Sequence, residues 1–311
     1  MPQWGERRII KLMNKRIALR LLKQTFAEWQ KDKVPLLASS LAYYTIFSLA
    51  PLLLIAIAIA GVFFGEQAVR GEVIGQIQGV IGKDGASAIQ SMLQNTQKSY
   101  SGGPFATVVS VVTLLVGASG VFGQLQEALN IIWDVKPKPG GNMLKFIQSR
   151  FLSFAMVLVI GFLLLVSSLV STILVSVAYY IRYLIPGFEF FGQALDFILS
   201  FIVVTLLFAS IYKVLPDVKV PWRNLWLGAS VTALLFYIGK YLIGLYLLNS
   251  NLSSIYGAAG SVIIVLVWVF YSAQILLLGA EFIQVYSNYL GTPIRPSSSA
   301  ISREETHGQD K

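Results

Sequence analysis

Chemistry at neutral pH needs a nucleophile, a base or a metal ligand, and this sequence is short of all three. It has no cysteine and a single histidine, His307, in a polar C-terminal stretch. Thiolate chemistry and Cys-ligated zinc or iron–sulfur centres are excluded. A Ser–His–Asp relay would depend on that one histidine. No G-x-x-x-x-G-K-[ST] loop is present to cradle a nucleotide phosphate. The 15 carboxylates are scattered, with none paired beside a basic groove as an RNA-cleaving centre would require. The residues therefore predict no enzyme, no resident cofactor and no metal.

What remains is a set of polar groups inside apolar surroundings. Ser39, Ser40, Tyr43, Tyr44, Thr45 and Ser48 crowd ten residues of one hydrophobic stretch, ahead of Pro51. Ser40, Tyr44 and Ser48 recur at i, i+4 and i+8 and form one helical stripe. Such a stripe either glues helices together or lines a wet path. Gln124, Glu127 and Asn130 step by three further on and are expected to share a face, where Glu127 reads as an ion or proton ligand or as a solvated helix end. Lys240 sits inside an apolar run, where it can snorkel to headgroups or pair with Glu189 or Asp196. Gly257 opens the last apolar stretch, Gln274 is its main interior polar group, and Glu281 closes it. These residues form the candidate polar path or packing set.

The elements that position them follow from composition. Hydrophobic types make up 55% of the 311 residues and charged types 13%. A soluble domain carries roughly a quarter charged residues. Six stretches are long enough to cross a ~30 Å hydrocarbon core as helices: 36–64, 105–124, 151–174, 197–214, 225–248 and 256–278. None alternates with the period of two that a barrel strand needs. The expected fold is an all-α polytopic membrane protein. Of the 24 Lys and Arg residues, nineteen fall in the N-terminal segment, two alternate loops and the tail, four fall on the other side, and Lys240 lies within a span. This asymmetry places both termini in the cytoplasm and calls for an even number of spans. The net charge of +9 then reflects insertion and contact with anionic lipid rather than nucleic acid.

Three domains are expected: a basic amphipathic segment over 1–35, the transmembrane domain over 36–290, and a disordered polar tail over 291–311. In the first, Ile10, Met13, Ile17, Leu21, Phe26 and Trp29 would face the headgroup region as one apolar side, with Pro35 ending the helix. A kink is expected at Pro51. In the loop over 65–104, Val69, Val73, Ile77 and Ile81 and, after Gly82-Lys83-Asp84-Gly85, Ile89, Met92 and Leu93 predict two short amphipathic helices acting as a cap or a lid. Expected partners are membrane lipids, with anionic headgroups at the basic N-terminal helix; assembly with further copies of the chain stays open.

Four blocks carry a resemblance: LAYYTIFSLAPLLL (41–54), ALNIIWDV (128–135), IYKVLPDVKVPWRNLWLGA (211–229) and IYGAAGSVIIVLVWVFYSAQILLLGAEF (255–282). In order and spacing they resemble the YihY/BrkB family of bacterial inner-membrane proteins, over about residues 25 to 290. The resemblance implies six spans, both termini inside and a bacterial plasma membrane. It carries over Tyr43, Tyr44, Ser48, Pro51, Asn130, Trp133, Pro216, Gly228, Tyr256, Gly257, Trp268, Gly279 and Glu281, and no catalytic role for any of them. The family has been labelled a virulence or serum-resistance factor and also "ribonuclease BN". The second label does not fit these residues. The functional expectation is transport or export of a lipid or other amphiphilic or small solute, the alternative a non-transporting envelope-integrity or scaffold protein.

Overall fold

A computed structural model describes residues 3–99, 104–138, 188–249, 256 and 259–303. Within them the chain is mostly helical. Helix α1 (Gln3–Lys31) leads into α2 (Val34–Phe64), α3 (Glu66–Ser99) and α4 (Pro104–Ile132). Strand β1 (Val135–Pro137) follows α4. Helix α5 (Phe188–Val214), strand β2 (Val218–Lys219), α6 (Trp222–Asn249) and α7 (Gly260–Tyr289) come next. Strands β3 (Arg295–Pro296) and β4 (Ala300–Ser302) end the described chain.

Four helical stretches among the described residues are long and apolar enough to cross a membrane: Val34–Phe64, Phe197–Val214, Trp222–Tyr246 and Gly260–Tyr289. They coincide with the expected spans one, four, five and six. The second expected span lies on α4, and the third (151–174) lies outside the described residues. The protein is thus a helical membrane protein with at least these four membrane-length helices.

The boundary between α1 and α2 falls earlier than Pro35 predicts. The chain turns at Asp32–Lys33, where Lys33 is left-handed (φ 53, ψ 44). Pro35 instead sits in the first turn of α2, where its missing N–H leaves no gap in the helix ladder. Helix α2 then continues through Pro51 as one 31-residue helix. At ~1.5 Å per residue that is about 46 Å, more than a bilayer core requires.

Helix α3 is the capping element that the loop pattern predicts. It breaks at Gly82 (φ 79, ψ 178), inside the expected turn, and so forms two helical arms. Val69, Ile81, Ile89 and Leu93 are buried from it against Ile57 and Ala60 of α2 and Ile264 and Val265 of α7, with Val73, Ile77 and Met92 packed alongside. The reversal from α2 into α3 passes through Gly65 (φ 85), whose N–H donates to the Gly61 carbonyl at 2.8 Å. A side chain at Gly61 would press on the Glu66 backbone. These glycines let the cap fold straight back onto the bundle.

Helix α7 is the central post, with α1, α2, α3, α4 and α6 all packing on it; α2 also pairs with α4, and α5 with α6. A second core fills the opposite end from the α3 cap. It joins Val34 and Ala38, Leu129 and Trp133, Tyr212, Leu225 and Ala229, and Leu277, Ala280 and Ile283.

The expectation of a disordered tail from 291 is corrected for residues 291–303. Gly291 (φ 68) turns the chain, and β3 then pairs antiparallel with β2 while β4 pairs antiparallel with β1. Ala300 is buried in the core at this end and Ile294 packs against it. Apolar residues interspersed among the serines supply the burial that a purely polar tail lacks. Residues 304–311, with His307, lie outside the described residues.

The apolar side expected of α1 divides, and the side chains of Ile10 and Met13 lie outside the described residues. Leu21 and Thr25 are buried and Trp29 packs on the core, in the interface where α1 lies along α7, whereas Phe26 is 55% exposed with Leu19 and Leu22. The seam follows Leu21, Thr25 and Trp29, a clean i+4 step; Phe26 is five residues from Leu21 and rotates off it.

Candidate functional site

The polar stripe of α2 divides by depth. Ser48 is buried and its Oγ donates to the Gly117 carbonyl of α4 at 2.5 Å. A Cβ at Gly120 would touch Ser48 Oγ and the Tyr44 ring, and one at Gly117 would touch Pro51. Small residues on α4 thus receive Ser48 and Pro51, which is helix packing of the small-residue kind. Toward the N-terminal end of the same helix, Ser40 is half-buried, while Tyr43 and Tyr44 are 61% and 42% exposed. Tyr43 meets Tyr44 and Phe47 edge-on, with ring centroids 5.8 and 5.0 Å apart. One end of the stripe is glue and the other is an open aromatic face.

Gln124, Glu127 and Asn130 do not share a face. Gln124 is half-buried, Glu127 exposed and Asn130 buried. With 3.6 residues per turn, each step of three falls short of a full turn, so two steps separate the outer pair widely. Asn130 is the working member. Its Nδ2 donates to Asp217 Oδ2 at 2.9 Å, and the Asp217 backbone N–H donates to its Oδ1 at 2.9 Å. Gln126 Nε2 adds a third bond to the same carboxylate at 3.1 Å. Asp217 is in the connection between α5 and α6, so this clamp ties that connection to the end of α4.

A second polar joint links α6 to the start of the C-terminal segment. Asn224 Nδ2 donates to Ser287 Oγ at 3.0 Å and to Thr292 Oγ1 at 2.9 Å. A third lies in the core: Tyr212 OH donates to the Leu276 carbonyl at 2.7 Å and lies 3.1 Å from Thr232 Oγ1. A Cβ at Gly279 would collide with both hydroxyls, so three helices meet there at a distance only glycine allows. Trp133 Nε1 donates to the Ala280 carbonyl at 3.1 Å.

Lys240 is exposed on α6, the placement a snorkelling lysine takes. The side chains of Glu189 and Asp196, and Gly257 altogether, lie outside the described residues. Gln274 is half-buried on α7. Glu281 is fully buried, and among the described residues neither carboxyl oxygen has a hydrogen-bond donor. It faces Asp32, Glu28 and Lys31 from the α1 side and Asp134 from the end of α4.

Sequence reasoning missed Asp32, Asp217, Tyr212, Thr232 and Asn224. Tyr212, Asp217 and Asn224 lie inside a block that carries the family resemblance, which was the available signal. Asp32 had none, because Asp134 and Glu281 are brought to it from remote parts of the chain. Among the described residues no group of three or more His, Cys, Asp or Glu side chains is arranged to hold a metal ion.

Fold and polar joints together define a helical membrane protein whose described helices are joined by polar contacts at one end and packed against α3 at the other. The profile of the virulence factor BrkB family matches residues 25–302, and the chain belongs to that family. It is 28% identical over 270 residues to a UPF0761 membrane protein of Psychromonas ingrahamii, covering 84% of this chain and 85% of that one. It is 30% identical over 259 residues to one of Vibrio parahaemolyticus, covering 80% and 76%. A relative from Pseudoalteromonas atlantica is 28% identical over 278 residues, covering 89% of each chain. No solved structure matches.

Proposed function

We propose that this protein moves a membrane-resident amphiphile, a lipid or lipid-like molecule, across the bacterial plasma membrane, with both termini in the cytoplasm. The observation that carries this reading is the exposed Tyr43–Tyr44–Phe47 face on α2 between two closed ends. The α3 cap covers one end of the bundle through Val69, Ile81, Ile89 and Leu93. Core packing and the strand pairs close the other. Packing at both ends among the described residues favours a solute that enters sideways from the bilayer, and such a solute is itself amphiphilic. Tyrosine suits that route, since its ring meets acyl chains and its hydroxyl meets headgroups. The exposed Arg16, Arg20 and Lys23 of α1, with Leu19, Leu22 and Phe26, would hold that helix against anionic headgroups. The protein acts without chemical conversion of its cargo and without nucleic acid.

The test is leaflet exchange of a headgroup-labelled phospholipid in proteoliposomes containing the purified chain. Exchange above protein-free vesicles is expected, falling several-fold in Tyr43→Ala/Tyr44→Ala at equal folded protein. Equal rates with and without protein would overturn the reading.

The second reading, a non-transporting scaffold, is favoured by Ser48 bonding Gly117 across α2 and α4. On that reading Ser48→Ala weakens the fold, and Tyr43→Ala/Tyr44→Ala leaves a knockout fully rescued.

A further inference from the structure

The junction of α1, α2, α4 and α7 brings four carboxyl groups and the Lys31 ammonium within electrostatic range of one another without a common centre. Glu28 and Lys31 close α1 and pair at 2.7 Å. Asp32 is half-buried in the turn before α2. Asp134, in the turn between α4 and β1, is left-handed (φ 52), and Gln284 Nε2 donates to its Oδ2 at 3.4 Å. Glu281 projects from α7 with no accessible surface. Behind Asp134, the Arg303 backbone N–H donates to the Asp134 carbonyl at 2.9 Å. Lys31 is largely exposed and already committed to Glu28.

Glu281 is the anomaly. A buried ionised carboxylate needs donors, because burial removes the water that would otherwise solvate it. Neither oxygen has one among the described residues. Asp32, half-buried in the turn that follows α1, is the acidic neighbour whose charge bears most on it, with Glu28 and Asp134 beside it. Two carboxyls can bond to each other only when one carries a proton, and the bond then satisfies both at once. A metal ion is the other way to neutralise such a pair, but the described acidic side chains do not converge on a common centre.

We propose that Asp32 and Glu281 form a proton-binding site, one shared proton per chain, that fastens the end of α1 to α7. With the proton in place, the two carboxyls hold the α1–α2 turn against the central post. Without it, the Asp32 and Glu281 carboxylates repel each other, Asp134 and Glu28 add to the repulsion, Lys31 offsets part of it and Arg303 lies behind Asp134, so the strain falls on the Asp32–Lys33 turn. The site requires no amphiphile movement, so it stands or falls separately from the transport reading.

The surroundings support the assignment. Burial pushes the Asp32 carboxyl above its ordinary value; Lys31 opposes this, Asp134 and Glu28 add to it, and the bond with Glu281 draws it back. A carboxyl whose value is higher in the folded state binds more protons there than in the unfolded chain. Its stabilising contribution is therefore complete in acid and is lost as the pH rises above the ordinary carboxylate range.

The experiment uses the full chain in lipid nanodiscs. Infrared difference spectra between mildly acidic and alkaline buffer should show the carbonyl stretch of one protonated carboxyl, moved by exchange into D2O. That band should vanish in Glu281→Gln and shift in frequency in Asp32→Asn, where the partner of the shared proton is replaced by an amide. Thermal unfolding should drop in Tm with rising pH for the wild type, and Glu281→Gln should cut that slope at least twofold, because its amide can donate to an ionised Asp32. If Glu281→Gln does not fold, the wild-type band and its displacement in Asp32→Asn still decide the matter. A wild-type spectrum without the band, or a band unchanged in both variants, overturns the proposal. So does magnesium or calcium chloride abolishing the band while raising the wild-type Tm, since that assigns the pair to a metal cation.

Discussion

Asn130 and Glu127 are three residues apart on one helix and have opposite fates. Asn130 is buried and bonds Asp217 through both ends of its amide, while Glu127 faces outward. A buried side chain that both donates and accepts is costly to remove, because its partner is left unsatisfied. Asn130→Ala should cost about 1–3 kcal/mol of stability, the range for orphaning a buried polar group. In a double-mutant cycle with Asp217→Ala, thermal unfolding in detergent should show strong coupling, the double variant losing far less than the sum of the singles. Additive losses would mean the two residues act independently.

At the scale of elements, the C-terminal segment shows how weak pieces become ordered together. Strand pairs of two and three residues have little stability of their own. Here β3 and β4 reach across to β2 and β1, Ala300 enters the core, and Thr292 is held by Asn224. Each contact shares the ordering cost of the same dozen residues. Ending the chain after Gly291 should therefore lower the Tm and speed amide exchange at Lys136 and Lys219. A truncated chain with an unchanged Tm would show that the segment adds nothing. The same logic governs α3, whose two arms are amphipathic and find their apolar partners only on α2 and α7.

For the molecule as a whole, the test is sidedness. The Cys-free sequence permits single cysteines at exposed Lys83, in the α3 cap, and at exposed Lys136, on β1. A membrane-impermeant maleimide added to intact cells should label Lys83→Cys and leave Lys136→Cys unlabelled until the cells are opened. The reverse pattern would invert the orientation proposed from the Lys and Arg distribution. Placing Lys136 inside also places Ile301, its antiparallel partner on β4, in the cytoplasm.

Several features were legible in the residues alone. Long apolar runs dictate helices because a bilayer offers no partner for backbone N–H and C=O groups. The i, i+4 recurrence from Val69 to Ile81, broken by a glycine turn, specified the two arms of α3 because local spacing fixes which side chains share a helix face. The four blocks carried the family. What only the tertiary structure decided is which polar residues meet. Asp32 finds Glu281 about 250 positions away, and Asn130 finds Asp217 across 87. Ser48 finds a backbone carbonyl rather than water. Polar side chains carry no periodic signal of their own: a hydroxyl or carboxyl reads alike in sequence whether it faces lipid, solvent or a partner. Its role is set by the packing of helices that are remote in the chain.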